Sequence, residues 1–278
     1  MLYIKKVPLP CILLLFVISM LAGCAGKSAT GNLTASATAE PQELRIMSYN
    51  IRHANPPSKK GVIDMEAIVR VIRSENPDLV ALQEVDVNTV RSGKVNQAKV
   101  LAKMLGMHYF FAKAIDFDGG EYGVAILSRY PILDSQAIPL PEEADPEAED
   151  RVLARASITL PDGRVIYFGS THLDVMSAAN RLQQIKKINT IAASSQLPFI
   201  LAGDLNDLPE SLVMAELGKE FTLTCQSVCE PTFPQDIPNR TIDYIAFSRA
   251  SPLKVLTHKV VPESYASDHL PIVATLRF

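Results

Sequence analysis

The chain has 278 residues, 47% of them hydrophobic, and a formal net charge of −3. That apolar content supports a packed core and excludes a disordered chain. The mild acidity, with no dense Lys/Arg block, counts against a protein that clamps duplex nucleic acid, which usually needs a basic face.

The first elements in chain order concern export. Lys5 and Lys6 supply a positive start, residues 11–21 are almost wholly apolar, and Leu21-Ala22-Gly23-Cys24 places small residues before a cysteine. The apolar run is too short for a permanent spanning helix, so residues 1–23 read as a signal peptide. The Leu-Ala-Gly-Cys string resembles a bacterial lipobox, which implies cleavage before Cys24 and lipidation of its thiol. Residues 25–42 are rich in Ala, Ser, Thr and Gly and read, with Cys24, as a flexible tether over 24–42. Loss of Lys5 and Lys6 leaves 25 basic residues against 30 acidic ones, a mature charge of −5.

The remaining residues, 43–278, suit one domain. Apolar, β-prone runs predict strands at 44–50, 78–84, 107–112, 123–128, 152–160, 165–171, 198–203, 242–247, 253–261 and 271–277. Helical periodicity predicts helices over 64–75, 96–105 and 178–194, with Asp64 and Asn96 as N-caps and Pro77 ending the first. Pro161-Asp162-Gly163 joins two strands as a hairpin. Such a mixture of hairpins and helical crossovers predicts sheets with helices outside them. Residues 142–151 form an acidic loop. It reads as a solvated segment or as a border of the cleft. Of four cysteines, Cys225 and Cys229 remain after Cys11 leaves with the signal and Cys24 takes lipid. A zinc site needs further ligands, and no second pair or nearby histidine follows, so the two are expected to form a local disulfide.

Polar clusters terminate the strands: Tyr49-Asn50, Gln83-Glu84, Thr171-His172 and Gly203-Asp204-Leu205-Asn206, followed by Arg240-x-x-Asp243 and Ser267-Asp268-His269-Leu270-Pro271. Any one of them alone reads as a cap, a turn or a satisfied histidine. Together, in order and each at a strand end, they suit metal-dependent phosphoester hydrolysis. Glu84 and Asp268 offer hard oxygens to Mg²⁺. Asp204 suits the water-activating base, with Asn206 on the same side of an extended segment. His172 and His269 suit phosphate donors if protonated, and Asp243 would favour the imidazolium. Arg52, His53 and Arg151 are read as substrate-binding residues, with Arg155 a further candidate, because an arginine at a cleft recognises phosphate bidentately.

Seven strings carry a resemblance to the endonuclease/exonuclease/phosphatase superfamily of DNase I-like enzymes: Ser48-Tyr49-Asn50-Ile51, Asp78 to Glu84, Gly123 to Ser128, Ser170 to Asp174, Gly203 to Asn206, Arg240 to Tyr244 and Ser267 to Pro271. The resemblance covers residues 44–278. It implies an α/β, four-layered sandwich of two packed mixed sheets flanked by helices. It implies Mg²⁺, with Mn²⁺ as a substitute, held by Glu84 with Asn50 and Asp268. It implies that Asp204 and Asn206 orient water and phosphate, that Asp243 pairs with His269, and that His172 contacts the scissile phosphate. Tyr122 stands directly against Gly123, unlike some nucleases of the family, and is placed among the substrate-binding residues.

The expected function is a monomeric, lipid-anchored phosphoesterase of the bacterial cell envelope, acting on a small-molecule or lipid head-group phosphodiester or phosphomonoester. A cell-surface nuclease and a non-catalytic binding lipoprotein on the same fold are the alternatives. Low basicity counts against the first and the complete set of carboxylates, amides and histidines against the second. The absence of tryptophan removes the usual aromatic device for entering a membrane.

Overall fold

The computed structural model describes residues 43–145, 147–226 and 228–278. The signal segment 1–23, the lipidation site Cys24 and the tether 24–42 lie outside the described residues. In chain order the elements are β1 (Glu43–Asn50), α1 (Met65–Glu75), β2 (Leu79–Val87), α2 (Gln97–Leu105), β3 (His108–Phe117), β4 (Gly120–Ser128), β5 (Ile132–Pro139), β6 (Val152–Thr159) and β7 (Val165–His172). They continue as α3 (Ala178–Ala193), β8 (Phe199–Asp204), α4 (Leu212–Leu217), β9 (Phe221–Leu223), β10 (Asp243–Ser248), β11 (Lys254–Val260) and β12 (Ile272–Arg277).

Among the described residues, twelve strands form two six-stranded mixed sheets, ordered β11-β12-β1-β2-β4-β3 and β5-β6-β7-β8-β10-β9. Each sheet contains one parallel pair, β1–β2 in the first and β7–β8 in the second. The helices α1 and α3 lie in the crossovers of these two pairs, as a parallel connection requires.

Period-two alternation builds the layers. Leu44, Ile46, Leu79, Ala81, Val124 and Ile126 face a core shared with Ile166, Phe168, Ile200, Ala202, Ile245 and Phe247 of the other sheet. Their neighbours Met47, Tyr49, Val80, Leu82, Ala125 and Leu127 pack on the opposite face with Ile68, Val69, Ile72 and Leu101 of α1 and α2. In the second sheet Phe199, Leu201, Tyr244 and Ala246 pack with Ile185, Ile188, Val213 and Leu217 of α3 and α4. Helices, sheet, sheet, helices is the expected four-layer sandwich. Strands buried on both faces read as continuous apolar runs, which is why they are legible.

Asp64 and Asn96 cap their helices by accepting from the backbone N–H groups of Ala67 and Lys99. The hairpin pairs β6 with β7, and Cys225 is disulfide-bonded to Cys229. Three elements lie outside the expectation. β5 is an edge strand bearing Asp134, Ser135 and Gln136, with no buried residue to set a period. β9 has three residues and α4 six, too short for either periodicity to register.

Candidate active site

The functional side chains converge where the inter-sheet core ends. The inter-sheet alternation that places Ile46, Phe168, Ala202 and Ile245 in the shared core continues in register to Asn50, His172, Asp204 and Asp243. Asp204 is the Cα partner of both His172 on β7 and Asp243 on β10, so three ionisable groups stand abreast on adjacent strands. Gly203 makes this approach possible: a Cβ there would lie 2.1 Å from the Thr171 carbonyl oxygen. Just below, Gln83 Nε2 donates to Ser170 Oγ at 3.3 Å and ties the two sheets together.

Glu84 breaks the alternation. On β2, Val80 and Leu82 face the helices, and a regular strand would send residue 84 the same way. Instead Glu84 adopts φ +56°, and the pairing of β2 with β4 shifts register between Leu82 and Val85. The bulge turns the carboxylate into the cleft, where Asn50 Nδ2 donates to its Oε1 at 3.1 Å. Arg52, His53 and Ala54 follow Asn50 with φ of +46°, +42° and +59°, and Asn206 has φ +51°. Each such non-glycine conformation costs on the order of 1–3 kcal/mol and is held by the surrounding structure.

Asn50 bridges the two halves of the site. Its Nδ2 also donates to Asp204 Oδ2 at 3.1 Å, and its Oδ1 accepts from Arg52 N at 3.1 Å. In this orientation Asn50 links the Glu84 and Asp204 carboxylates. Asn206 is not extended as its spacing suggested. Its left-handed turn lets its N–H donate to Asp204 Oδ1 at 3.0 Å while its Nδ2 donates to the Leu173 carbonyl.

His269 Nδ1 lies 3.0 Å from Asp243 Oδ2, as expected, and its Nε2 lies 3.7 Å from Asp204 Oδ2. Burial alone would lower the imidazolium's pKa, but the Asp243 and Asp204 carboxylates outweigh it and hold the value at about 10. Asp204 moves the other way. Burial first, then repulsion from Asp243, raises it to about 7. His172 Nε2 lies 3.6 Å from the same Asp204 oxygen. Burial, with the positive charges of Arg151 and His269, drives its pKa well below the ordinary value, so the condition that His172 be protonated to donate as an imidazolium is not met.

Residues within and outside the motifs hold these groups. Thr232 Oγ1 donates to Asp243 Oδ2 at 2.6 Å, and Ser267 Oγ donates to the Asn50 carbonyl at 2.7 Å. Phe233 packs its ring 4.7 Å from that of His269, and the Arg240 guanidinium lies 4.6 Å over Phe233. No periodicity or motif marks Thr232 and Phe233. Ser267 lies within a recognised string, and its hydroxyl beside the Asp-His pair is the available signal.

The expected substrate-binding residues separate. Arg52 Nε lies 3.2 Å from Asp268 Oδ2, and its Nη1 donates to the Asn55 carbonyl, so it is partly spent inside the protein. His53 faces Glu84 at 4.0 Å, with its pKa lowered to about 4 by burial and then by Arg91, and is neutral. Arg151 is buried and pairs with Glu149 at 3.1 Å. Arg155 lies over the Tyr167 ring on the outer side of its sheet and does not reach the cleft, because strand alternation turns it away from Ala154 and Ala156. Tyr122 alternates with Val124 and so faces inward at the cleft end.

Two places suit a divalent cation. Glu84 and Asp268 present carboxylates close enough for burial and Asp268 together to raise the Glu84 pKa, a repulsion that a cation would relieve. The buried Asp204, Asp243 and His269 also offer ligand atoms within 4.8 Å of one another. In that trio the histidine is an imidazolium hydrogen-bonded to Asp243, which opposes metal binding. The partly exposed, hard-oxygen pair fits Mg²⁺, which keeps several waters.

The model of the Endonuclease/Exonuclease/phosphatase family matches residues 47–269. The protein YbhP of Escherichia coli K12, itself uncharacterized, is 24% identical over 221 residues, covering 74% of this chain and 85% of YbhP. Among solved structures, an endonuclease/exonuclease/phosphatase from Beutenbergia cavernae superposes with a TM-score of 0.73 at 26% identity, covering 85% of this chain and 72% of that one. The mannosyl-6-phosphatase Bt3783 of Bacteroides thetaiotaomicron superposes with a TM-score of 0.70 at 20% identity, covering 84% and 100%.

Proposed function

This chain belongs to the endonuclease/exonuclease/phosphatase family, whose members are hydrolases of phosphoester bonds, and from that premise we propose an Mg²⁺-dependent phosphoesterase of the bacterial cell envelope acting on a small-molecule or lipid head-group ester. The observation that carries the reading is Asp204: a buried carboxylate raised to about 7, set between two imidazoles and linked through Asn50 to Glu84.

Glu84 and Asp268 would hold the cation, which when bound neutralises phosphate charge and relieves the leaving oxygen. Asp204 accepts a proton from water through Oδ2 as the water oxygen bonds to phosphorus and the bond to the alcohol oxygen breaks. A base with a pKa near 7 is ionised in part at neutrality yet basic enough to take that proton. His269, charged below about pH 10, donates from Nε2 to the phosphoryl oxygens as negative charge builds there. Neutral His172 donates from Nε2 or orients the water, according to its tautomer. Asn206 keeps the Asp204 carboxylate aimed by donating to Oδ1.

The envelope location rests on the Lys5-Lys6 start, the apolar run and Cys24, and the Cys225–Cys229 disulfide supports an oxidising compartment. The mature charge of −5 favours a small or lipid ester over nucleic acid. A hydrolysis panel with and without chelator tests the reading, using p-nitrophenyl phosphate, bis-p-nitrophenyl phosphate, phosphoinositides, sphingomyelin and plasmid DNA. Chelator-sensitive release from a small or lipid ester is expected. Plasmid nicking faster than any of these would make the protein a nuclease, and activity surviving chelation would remove the cation. Incorporation of labelled fatty acid into a Cys24→Ser chain would overturn the lipid anchor.

A further inference from the structure

Beside Glu84 a pocket opens, lined by Glu84, Arg91, Ile115, Phe117, Tyr122 and Glu149. The hydrolysis described above uses only Glu84 of these. Arg91 is firmly built in. Its Nε and Nη2 donate to Asp86 Oδ2 and Oδ1 at 2.7 and 2.8 Å, and Thr89 and Ser92 donate to the same fully buried carboxylate. The guanidinium lies 4.4 Å over the Phe117 ring and 5.6 Å from that of Tyr122. Two N–H donors are thus spent, and the Nη1 end keeps its own. Near Tyr122, Glu149 pairs with Arg151 Nη1 at 3.1 Å. Each cation of this wall already has a carboxylate.

Burial above all, with Glu84, keeps the Tyr122 hydroxyl protonated, and the charges of Arg151, Glu149 and Arg91 also act on it. That hydroxyl is a free donor, since it makes no hydrogen bond among the described residues. Arg91 and Arg151 are each already paired with a carboxylate, so neither offers a second phosphate an uncompensated positive charge. A neutral group bearing hydroxyls suits the wall better: Arg91 Nη1 and Tyr122 donate to it, and the Glu149 carboxylate accepts from it.

We propose that this pocket receives the neutral, polyhydroxylated alcohol portion of the substrate, selecting monophosphate esters of sugars, cyclitols or glycerol over substrates carrying a second phosphate. The proposal rests on the phosphoesterase reading, which puts the scissile phosphate next to Glu84. Calorimetry on the full chain carrying Asp204→Asn, with Mg²⁺ present, separates the two because turnover plays no part. The probes are glucose 6-phosphate, myo-inositol 1-phosphate and glycerol 1-phosphate, each against glucose 1,6-bisphosphate and a thymidine dinucleotide with a 5′-phosphate.

At least one monophosphate should bind about tenfold tighter than the bisphosphate and the dinucleotide, as one or two well-placed hydrogen bonds allow, and the tightest of the three identifies the alcohol. Adding Glu149→Gln leaves the Arg151 charge unbalanced and should shift the ratio toward the bisphosphate by about tenfold, whereas a purely structural Glu149 would leave it unchanged. Arg91→Gln reads the pocket independently and should bring affinity for the preferred ester down toward that for inorganic phosphate. A bisphosphate or dinucleotide bound as tightly as every monophosphate overturns the proposal, as does a ratio that neither substitution moves. Failure of the unsubstituted enzyme to hydrolyse any phosphoester would sink the phosphoesterase reading, while the binding order still judges the pocket.

Discussion

In the first sheet the parallel pair β1–β2, crossed by α1, delivers Asn50 and Glu84; in the second the parallel pair β7–β8, crossed by α3, delivers His172 and Asp204. The two plans match, but the surroundings do not. The side chains of Glu84 and of its neighbour Asp268 are 24% and 29% exposed, whereas those of His172, Asp204 and Asp243 are 6%, 2% and 1% exposed. A hydrated hard cation needs the wetter half, where it can keep its waters. Proton transfer needs the drier half, where burial and neighbouring charge spread the two critical pKa values to about 7 and about 10. The backbone differs in parallel. Regular alternation brings Asp204 and His172 into the cleft, while Glu84 reaches it only through a bulge and a left-handed φ.

The largest effect expected from breaking this division is in the dry half. Asp204→Asn removes the base and should lower kcat by on the order of 10³-fold in steady-state assays. Its effect on stability should have the opposite sign. The folded pKa of Asp204 is raised, so the stability it contributes is present at low pH and lost as pH rises through about 7. Asp204→Asn should therefore melt higher than the parent at pH 8 and equally at pH 4. A lower melting temperature at pH 8 would show that the buried charge is well solvated.

Glu84→Gln in the wet half keeps size and removes the charge that the cation needs. Activity should fall by on the order of 10²-fold, with partial recovery at high Mg²⁺ or Mn²⁺. Near-normal turnover, or a loss no cation reverses, would move the cation out of this half.

The pH–rate profile sharpens the comparison next. Activity should rise through about pH 7 as Asp204 ionises and fall through about pH 10 as His269 loses its proton. Asp243→Asn removes the countercharge of His269 and should move the alkaline limb downward. His269→Ala should reduce kcat far more than it raises KM, and adding Asp243→Asn to it should cost little more. Multiplying losses with an unmoved alkaline limb would break the pairing. The smallest effect concerns support from behind. Arg240→Ala strips the cation from Phe233 and should lower kcat about threefold, in line with an exposed cation–π contact. A tenfold or greater loss would place Arg240 in contact with substrate.

Much of this division was written locally. Strands buried on both faces appear as unbroken apolar runs, so Leu44 to Ser48 and Phe199 to Ala202 announced themselves, as did the polar residues that end them. Caps are local too, since Asp64 and Asn96 bond within three residues of themselves. The order of motifs along the chain identified the family because each motif closes a strand of the same sandwich. What the sequence by itself could not determine is long-range. Asp204 sits beside residues as far away as Asn50 and His269, and only that convergence makes it basic and His269 charged while leaving His172 neutral. The left-handed Glu84 has no signature, because no single residue type demands the bulge that lies where β2 pairs with β4. Arg91 lies in a loop without periodicity, and its pairing with Asp86 and stacking on Phe117 depend on chain segments meeting in space. Strand identity follows from neighbours in sequence; pKa, side-chain direction and pocket charge follow from neighbours in space, which only the tertiary fold supplies.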